Sequence, residues 1–306
     1  MIGLTLKHMR YFQALAAHGH FGRAAEACNI SQPALSLQIK ELETLIGAPL
    51  VERSARQIRL TTLGEDFLAR AQDITLRVEE LENLQRSATG PLSGRLRLGV
   101  IPTVAPYLLP RIIGLLAARM PDLDLQPREA ITGSLVEGLL DARLDIAVVA
   151  LPISEPSLRE FALFDEDFLL VRPATDGAKP VPSLSALRTM RLLLLEEGHC
   201  FREQALAFCD ISGSAPQELM EGSSLSTLVQ MVGAGIGVTL IPEMAVPLET
   251  RTADVAVTRF PAPCPQRTIG MVWRKTNPLG EQLMQIGALI RRAAETRATG
   301  GLSLGG

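Results

Sequence analysis

Long apolar runs are missing from this sequence. No apolar stretch reaches about 18 residues, the length that a membrane-spanning helix needs. The N-terminus also lacks the apolar core of a secretory signal peptide. We therefore expect a cytoplasmic protein with no membrane partner.

Cysteine is also scarce, with four in 306 residues. In a cytoplasmic chain so few cysteines argue against a framework of structural disulfides. The sequence has no CxxC pair and no Cys/His cluster with zinc-ligand spacing. We expect neither a metal nor another cofactor.

Basic residues do not dominate the chain, which carries a formal net charge of −3. The first 62 residues differ, because they hold seven Lys or Arg against four Glu and so carry +3, which leaves −6 on the remainder. A small basic head on an acidic body hints at a nucleic-acid-binding module, although a charge of +3 does not establish one by itself.

Three short helices are predicted in this head. Apolar residues recur at helical spacing from Leu6 to Ala17, and a second helix covers Phe21 to Cys28. Ser31 is placed to cap a third helix, which has Pro33 in its first turn and ends before Gly47. Two helices, a turn and a polar-fronted third helix form a helix-turn-helix, whose third helix enters the major groove of DNA.

The polar front of the third helix and the segment after it supply candidate DNA contacts. Val51 to Thr61 is predicted to be a two-stranded wing, whose arginines suit phosphate contacts. The candidates are Ser31, Gln32, Pro33, Ser36, Gln38, Lys40, Arg53 and Arg56. Any one of them could equally belong to a solvated face, but the set as a whole favours DNA binding.

A long helix is predicted after the wing. Thr62 to Glu65 has the pattern of a capping box, and the helix extends to about Thr89. Apolar residues recur along it at alternating spacings of four and three: Phe67, Ala71, Ile74, Val78 and Leu81. The small head offers this seam little to pack on, so we favour pairing with another subunit over packing within the chain. Gly90 to Gly94 follows as a hinge.

From Arg95 onward, short buried strands alternate with helices. This pattern predicts a parallel sheet that binds ligands at the C-terminal ends of its strands. A strand at Phe168 to Arg172 crosses to a second subdomain, and Ile269 to Arg274 returns to the first. Two α/β lobes joined by crossing strands are typical of the periplasmic-binding-protein architecture. The predicted fold is thus a winged helix-turn-helix (an all-α head with a β wing), a linker helix and a two-lobed α/β regulatory domain.

The predicted domain boundaries follow from these elements. Residues 1–62 form the DNA-binding head, 63–94 the linker or dimerisation helix and its hinge, and 95–306 the regulatory domain. Lobe I comprises about 95–166 and 268–306, and lobe II about 167–267. The Gly-rich end, 300–306, is expected to be disordered.

Cys200 and Cys209 stand nine residues apart, separated mostly by strong helix formers. Nine residues of α-helix turn through about 900° and rise about 13.5 Å, so the two sulfurs would lie on opposite faces. A disulfide needs Cα atoms within about 7 Å, so this pair can bond only if the helix unravels. The spacing therefore suggests a redox switch with two incompatible folds.

A plainer alternative is that both cysteines are buried packing residues, since cysteine is among the most buried residue types. Local chemistry favours the switch. Cys200 follows Gly198 and His199 at a predicted strand-to-helix junction, where free backbone N–H groups and the helix dipole favour a thiolate.

Several motifs resemble those of the LysR-type transcriptional regulators. They are Phe21-Gly22-Arg23-Ala24-Ala25, Ser31-Gln32-Pro33-Ala34-Leu35-Ser36, Leu60-Thr61-Thr62-Leu63-Gly64 and the turn ending at Leu240-Ile241-Pro242. Within that family, three stretches resemble the OxyR peroxide sensors. They are Ile101 to Pro110, Gly198-His199-Cys200 with Cys209, and Arg267 to Gly270. The resemblance covers essentially the whole chain, but the extra cysteines Cys28 and Cys264 and the loop from Asp210 to Pro216 depart from it.

The resemblance implies that Cys200 is the peroxidatic cysteine and Cys209 the resolving one. Peroxide would convert Cys200 to a sulfenic acid, which condenses with Cys209 to a disulfide. The polar pocket that holds the peroxide is implied to contain Thr103, Thr132, His199 and Arg267. Residue types alone allow plainer roles, such as a helix cap for Thr103 or a salt bridge for Arg267.

The implied function is a hydrogen-peroxide-sensing transcriptional regulator that activates oxidative-stress genes, not an enzyme. Its implied partners are double-stranded promoter DNA, hydrogen peroxide, RNA polymerase, a glutaredoxin- or thioredoxin-type reductant and further copies of itself in a homotetramer built as a dimer of dimers. Two rivals remain. One is a LysR-type regulator that binds a small metabolite between its lobes with inert cysteines; the other is a thiol peroxidase, which would not need residues 1–62.

Overall fold

The computed structural model describes residues 3–53, 58–88, 92–183, 185–198, 200–208 and 219–298. The chain divides into two compact units, Met1–Gln85 and Arg86–Gly306. Among the helices of the described residues, none is both long and apolar enough to cross a membrane.

Three packed helices open the small unit. They are α1 (Leu6–His18), α2 (Phe21–Ala27) and α3 (Gln32–Ile46). Ser31 caps α3 as predicted, because its Oγ accepts a 3.3 Å hydrogen bond from the backbone N–H of Ala34. Gly47 ends α3 in the left-handed conformation, at φ +81°. Phe12 and Leu35 are fully buried in the core that the three helices share, so the predicted helix-turn-helix is confirmed.

A two-stranded wing follows the third helix. Strand β1 (Val51–Arg53) pairs antiparallel with β2 (Ile58–Leu60). Residues 54–57 between them lie outside the described part of the chain.

The long helix after the wing is α4 (Thr62–Ala88). Its predicted capping box is wrong by one residue, since Thr61 rather than Thr62 accepts a 3.0 Å hydrogen bond from the backbone N–H of Gly64. Gly64 has no room for a side chain, because a Cβ there would lie 2.1 Å from the carbonyl oxygen of Leu50. The start of α4 is therefore tightly packed beneath the wing.

The predicted apolar seam of α4 is only partly covered by its own unit. Phe67 packs edge-on against Phe12 with ring centroids 5.2 Å apart, and Ala71 is buried. Further along, Ile74 is 41% exposed and Leu81 64% exposed. The second half of the seam thus presents apolar side chains that the small unit does not bury.

The larger unit alternates strands and helices through most of its length. In chain order its elements are β3 (Gly94–Val100), α5 (Ala105–Arg119), β4 (Leu123–Glu129), α6 (Thr132–Leu140), β5 (Ile146–Leu151), β6 (Leu158–Pro173), β7 (Leu192–Leu195), α7 (Cys200–Phe208), β8 (Leu219–Gly222), α8 (Leu225–Gly233), β9 (Val238–Pro242), α9 (Val246–Glu249), β10 (Val255–Arg259), β11 (Gln266–Arg274) and α10 (Gly280–Ala298).

The sheet consists of two parallel groups joined by antiparallel crossing strands. In lobe I, β3 pairs in parallel with β4 and β5; in lobe II, β7 pairs in parallel with β8 and β9. Strand β11 runs antiparallel to both β5 and β6. The predicted parallel sheet is present within each lobe, and the crossing strands, for which no direction was predicted, run antiparallel to their neighbours.

The 16-residue strand β6 connects the lobes. Its first half pairs with β11, and its second half pairs with β9 and β10. The sequence predicted only Phe168 to Arg172 as strand, because residues 158–167 are mixed in polarity; four of these ten are exposed in the structure. Buried apolar side chains form a separate core in each lobe, and Tyr107 packs against both cores.

Candidate functional site

Cys200 is the first residue of α7 and follows the buried strand β7 by a short loop. Gly198 in this loop has φ +92°, a conformation that side chains disfavour, and a Cβ there would lie 3.0 Å from Cδ1 of Ile131. Glycine at this position therefore lets the loop pass close to Ile131. Cys200 is a partly buried free cysteine, and the predicted helix after it is confirmed.

One small pocket lies where the two lobes meet at Cys200. Lobe I contributes Thr103, from the turn between β3 and α5, and Thr132, the first residue of α6. Ile101, Pro102, Ile131 and Phe201 complete the lining with Cys200. Even counting the space open to solvent, its empty volume is about 160 Å³.

Thr103 is buried and is held by Arg267 on β11. Arg267 donates from Nη1 to the Thr103 hydroxyl at 2.8 Å and from Nη2 to the Thr103 carbonyl at 3.1 Å. A guanidinium can only donate, so the Thr103 oxygen acts as acceptor and its own hydroxyl hydrogen remains available. Among the described residues that hydrogen has no acceptor, so Thr103 can donate to a molecule in the pocket.

Arg267 lies behind the pocket rather than in its lining. It donates to Oε2 of Glu166 from Nε at 3.0 Å and from Nη2 at 2.9 Å, and Oε1 of Glu166 accepts from the backbone N–H of Met244 at 2.8 Å. The guanidinium carbon also lies 5.8 Å from the ring centroid of Phe201 and 5.9 Å from that of Phe168. The positive charge predicted for the pocket is therefore neutralised by a buried carboxylate, and Arg267 contacts the pocket through Thr103.

Thr132 presents an unsatisfied hydroxyl. Its Oγ1 is buried and has no hydrogen-bond partner among the described residues. A buried polar group without a partner costs about 1–3 kcal/mol, so a small polar molecule bound in the pocket could remove that cost.

Two residues of this region were not predicted from the sequence. Gln204 lies four residues after Cys200, on the same side of α7, and its Oε1 is buried without a partner among the described residues. Glu166 lies directly opposite Arg267 in the β6–β11 pairing. The spacing of four residues from Cys200 on a predicted helix could have identified Gln204. Glu166 could be identified only from the full extent of β6, which the sequence did not predict.

Several predicted residues cannot be placed. His199, Cys209 and Arg56 lie outside the described residues, and only the backbone of Arg53 is described. Among the described residues, no group of three His, Cys, Asp or Glu could hold a metal ion.

The predicted DNA contacts on α3 occupy its outer side. Gln32, Pro33 and Lys40 are exposed, Ser36 and Gln38 are half-buried, and the Ser31 hydroxyl serves as the helix cap. Gln38 also donates a 3.0 Å hydrogen bond to Glu41. Leu37, which was not predicted as a contact, is 64% exposed.

Both units match established protein-family models. Residues 6–65 match the bacterial regulatory helix-turn-helix protein of the lysR family, and residues 89–295 match the LysR substrate binding domain. The chain belongs to the LysR family of bacterial helix-turn-helix regulators. The predicted fold class is confirmed by these matches.

Relatives within the family carry a more specific name. A probable hydrogen peroxide-inducible genes activator from Streptomyces viridosporus is 43% identical over 294 residues, covering 94% of this chain and 94% of that protein. The DNA-binding transcriptional dual regulator OxyR of Escherichia coli K12 is 38% identical over 293 residues, covering 94% and 95%.

Solved structures agree with these sequence relatives. A full-length OxyR variant from Pseudomonas aeruginosa has a TM-score of 0.75 at 36% identity, covering 94% of this chain and 95% of that chain. A hydrogen-peroxide-bound OxyR mutant from Corynebacterium glutamicum has a TM-score of 0.66 at 35% identity, covering 95% and 93%. The predicted resemblance to OxyR-type regulators is confirmed.

Proposed function

We propose that this protein is a hydrogen-peroxide-sensing, DNA-binding transcriptional regulator that activates oxidative-stress genes and is switched by a reversible disulfide between Cys200 and Cys209. The observation that carries the proposal is the pocket in which Cys200 meets the hydroxyls of Thr103 and Thr132. Relatives of this chain are named activators of hydrogen peroxide-inducible genes, which agrees with this chemistry.

The first step is attack by the Cys200 thiolate on one oxygen of hydrogen peroxide, which breaks the O–O bond. The sulfur is oxidised to a sulfenic acid, and the departing hydroxide takes a proton to become water. Thr103 donates a hydrogen bond to the peroxide, while Thr132 and His199 hold it by further polar contacts. Arg267 keeps Thr103 oriented as a donor, and the first turn of α7 favours negative charge at Cys200.

In the second step the Cys209 thiol attacks the Cys200 sulfur and displaces a second water. The disulfide then requires two electrons for its reduction, which a glutaredoxin- or thioredoxin-type dithiol supplies by thiol–disulfide exchange. The protein is thereby a sensor that is reset rather than an enzyme, and it needs no cofactor.

DNA binding is assigned to the small unit. The exposed front of α3 enters the major groove, with Gln32, Ser36 and Lys40 toward bases or phosphates. Ser31, Pro33 and Gln38 complete the set on this helix, and Arg53 and Arg56 of the wing contact phosphates. Residues 1–62 act as the head, 63–94 as linker and 95–306 as regulatory domain.

Pairing of two α4 helices through the exposed part of their seam supplies the dimer. Two dimers form a homotetramer on promoter DNA, where the protein meets RNA polymerase. Because that DNA lies in the bacterial cytoplasm, the protein works there.

The pocket is too small for the metabolite-binding alternative. Pockets for drug-sized ligands and cofactors have volumes of about 300–1,000 Å³, whereas this pocket has about 160 Å³ even with its open space. Hydrogen peroxide is close in size to one or two water molecules, each of which occupies about 30 Å³ in the liquid. Size therefore argues against a metabolite as the ligand of this pocket.

Mass spectrometry after one equivalent of hydrogen peroxide tests the proposal. The expected product is a peptide pair joined by Cys200 and Cys209, formed together with a changed footprint on promoter DNA. Cys28→Ser and Cys264→Ser serve as matched controls and should give the same product. Pairing of Cys200 with Cys28 or Cys264, or identical footprints before and after oxidation, would contradict it.

A further inference from the structure

The pocket around Cys200 is assembled from both lobes of the larger unit. Thr103 and Thr132 belong to lobe I, whereas Cys200 and Phe201 belong to lobe II. The distance between the hydroxyl donors and the sulfur therefore depends on how the two lobes are held together. Contacts that bridge the lobes near α5 and α7 are candidates for setting it.

One such bridge joins Tyr107, Glu249 and Ser226. Tyr107 lies on α5, about one turn after Thr103, and its hydroxyl donates a 2.7 Å hydrogen bond to Oε1 of Glu249, the last residue of α9. The hydroxyl of Ser226, in the first turn of α8, donates to Oε2 of the same carboxylate. One side chain of lobe I and two of lobe II thus meet at a single carboxylate.

The carboxylate of Glu249 is buried, with 8% of the residue exposed. Within the described part of the chain, no Lys, Arg or His forms an ion pair with it, so its hydrogen bonds come from the two hydroxyls. Losing one donor to a buried carboxylate leaves the charge less satisfied, which is costly. The carboxylate therefore favours the lobe arrangement in which both hydroxyls reach it.

Tyr107 is suited to remain a donor. Burial raises the pKa of its phenol well above the usual range, and the hydrogen bond to Glu249 and the nearby negative charge raise it further. The phenol thus stays protonated at neutral pH. Its ring also packs against the cores of both lobes. The side chain is therefore held by packing at the ring and by a hydrogen bond at the hydroxyl.

We propose that Tyr107, Glu249 and Ser226 form an interlobe latch that positions Thr103 against Cys200 for reaction with peroxide. The three are positioning residues, since none of them lines the pocket. The inference rests on the proposed peroxide chemistry. It is distinct from the hydrogen bonds of Arg267 to Thr103, because the latch acts one helical turn away through the backbone of α5.

Tyr107→Phe in the full-length reduced protein is the most direct test, because it removes one hydroxyl and keeps the ring. The second-order rate of Cys200 oxidation by hydrogen peroxide should fall about tenfold, which corresponds to about 1.4 kcal/mol at 25 °C. The rate of Cys200 alkylation by iodoacetamide, which needs an accessible thiolate but no donor from Thr103, should change less than twofold. Tyr11→Phe, at the chain's one other tyrosine, makes the same chemical change in the small unit and should alter neither rate.

Two further variants separate a latch from general destabilisation. Glu249→Gln removes the charge but keeps an oxygen that accepts from Tyr107, so its peroxide rate should fall, but less than that of Tyr107→Phe; a larger fall would contradict the latch. Tyr107→Phe combined with Ser226→Ala should cost less than the product of the two single effects, because both hydroxyls act on one carboxylate.

The outcomes distinguish failure of the latch from failure of the proposed function. If wild-type Cys200 is oxidised but Tyr107→Phe reacts at the wild-type rate, the latch is wrong and the function stands. An equal loss of peroxide and iodoacetamide reactivity would also overturn the latch, since it would indicate altered access or folding. If peroxide does not oxidise wild-type Cys200, the proposed function and the latch fail together.

Discussion

Arg267 shows how a buried charge can determine the role of a neighbouring residue without touching the reacting atoms. Its charge is neutralised by Glu166, and its Nη1 occupies an acceptor site on the Thr103 hydroxyl. Thr103 is left with a hydrogen to donate and with its backbone carbonyl held by the same guanidinium. At the scale of single residues, the guanidinium makes Thr103 a donor facing the pocket.

Thr103→Val should slow peroxide oxidation of Cys200 about a hundredfold, the usual cost of removing one preorganised donor. Valine has nearly the shape of threonine but no hydroxyl, so Arg267 also loses an acceptor. Stopped-flow measurement of thiol loss at several peroxide concentrations gives the rate. Thr103→Ser keeps the hydroxyl and should react within a few-fold of wild type. A wild-type rate in the valine variant would remove Thr103 from the mechanism.

Leu37 offers an apolar surface on a helix otherwise fronted by polar groups. It lies about 200° around α3 from buried Leu35, at roughly 100° per residue. The apolar group that the major groove presents is the thymine methyl. Replacing one contacted thymine by deoxyuridine should weaken binding about fourfold, the effect of burying one carbon at about 0.8 kcal/mol.

Leu37→Ala should abolish that sensitivity, whereas Gln32→Ala should retain it. Gel-shift titrations of each variant, on one footprinted site with thymine and with deoxyuridine at the contacted position, measure this sensitivity. Equal affinity of the wild-type protein for the two forms at every thymine would exclude the contact.

At the scale of secondary-structure elements, the proposed switch involves helix α7 and the proposed subunit assembly involves helix α4. Helix α7 is anchored by Phe201 and Ala205, both fully buried, and Phe168 contacts the rings of both Phe201 and Phe208. Disulfide formation with Cys209 would have to unwind this helix, because its geometry separates residues nine apart. Helix α4 instead presents an apolar seam whose second half its own unit does not bury.

Ile74→Ser together with Leu81→Ser should weaken dimerisation by at least tenfold, because two exposed apolar side chains would lose their burial across the dimer. Sedimentation equilibrium over a range of concentrations measures the dissociation constant. Asp73→Ser, at an exposed position about 120° around the helix from the seam, is the matched control. An unchanged dissociation constant in the double variant would mean that the subunits pair elsewhere.

At the scale of the whole molecule, the chain joins a DNA-binding unit to a redox-sensitive one. The DNA-binding unit is the smaller and contains α1 to α3 and the wing, while the pocket lies wholly in the larger unit. The predicted DNA contacts and the residues that line the pocket are therefore separate sets. A signal from the proposed peroxide site must therefore start as a change in the larger unit, and the proposed refolding of α7 would supply such a change.

Cys209→Ser should separate sensing from response. Cys200 should still be oxidised by peroxide, stopping at a sulfenic acid or a mixed disulfide, while the DNA footprint stays that of the reduced protein. Dimedone labelling detects the sulfenic acid, and footprinting detects the response. Cys264→Ser should behave like wild type in both measurements. A normal oxidised footprint from Cys209→Ser would show that the disulfide is not the signal.

Local chemistry in the sequence determined the helices of the head, the fold class and the start of α7. Helix α3 begins after Ser31 and ends before Gly47, because each of these residues favours its cap conformation whatever packs around it. Gly198 before Cys200 likewise indicated a tight loop at a helix start. The OxyR-type motifs then identified the family and the candidate residues.

Long-range pairings were decided only by the tertiary structure. Arg267 reaches Thr103 across 164 residues of chain and Glu166 across 101, and Tyr107 reaches Glu249 across 142. No periodicity or spacing links such distant residues. Whether a charge faces a pocket or a buried carboxylate depends on strand register and lobe packing, and for that reason the position of Arg267 behind Thr103 and the bridge at Glu249 could not be predicted from the sequence.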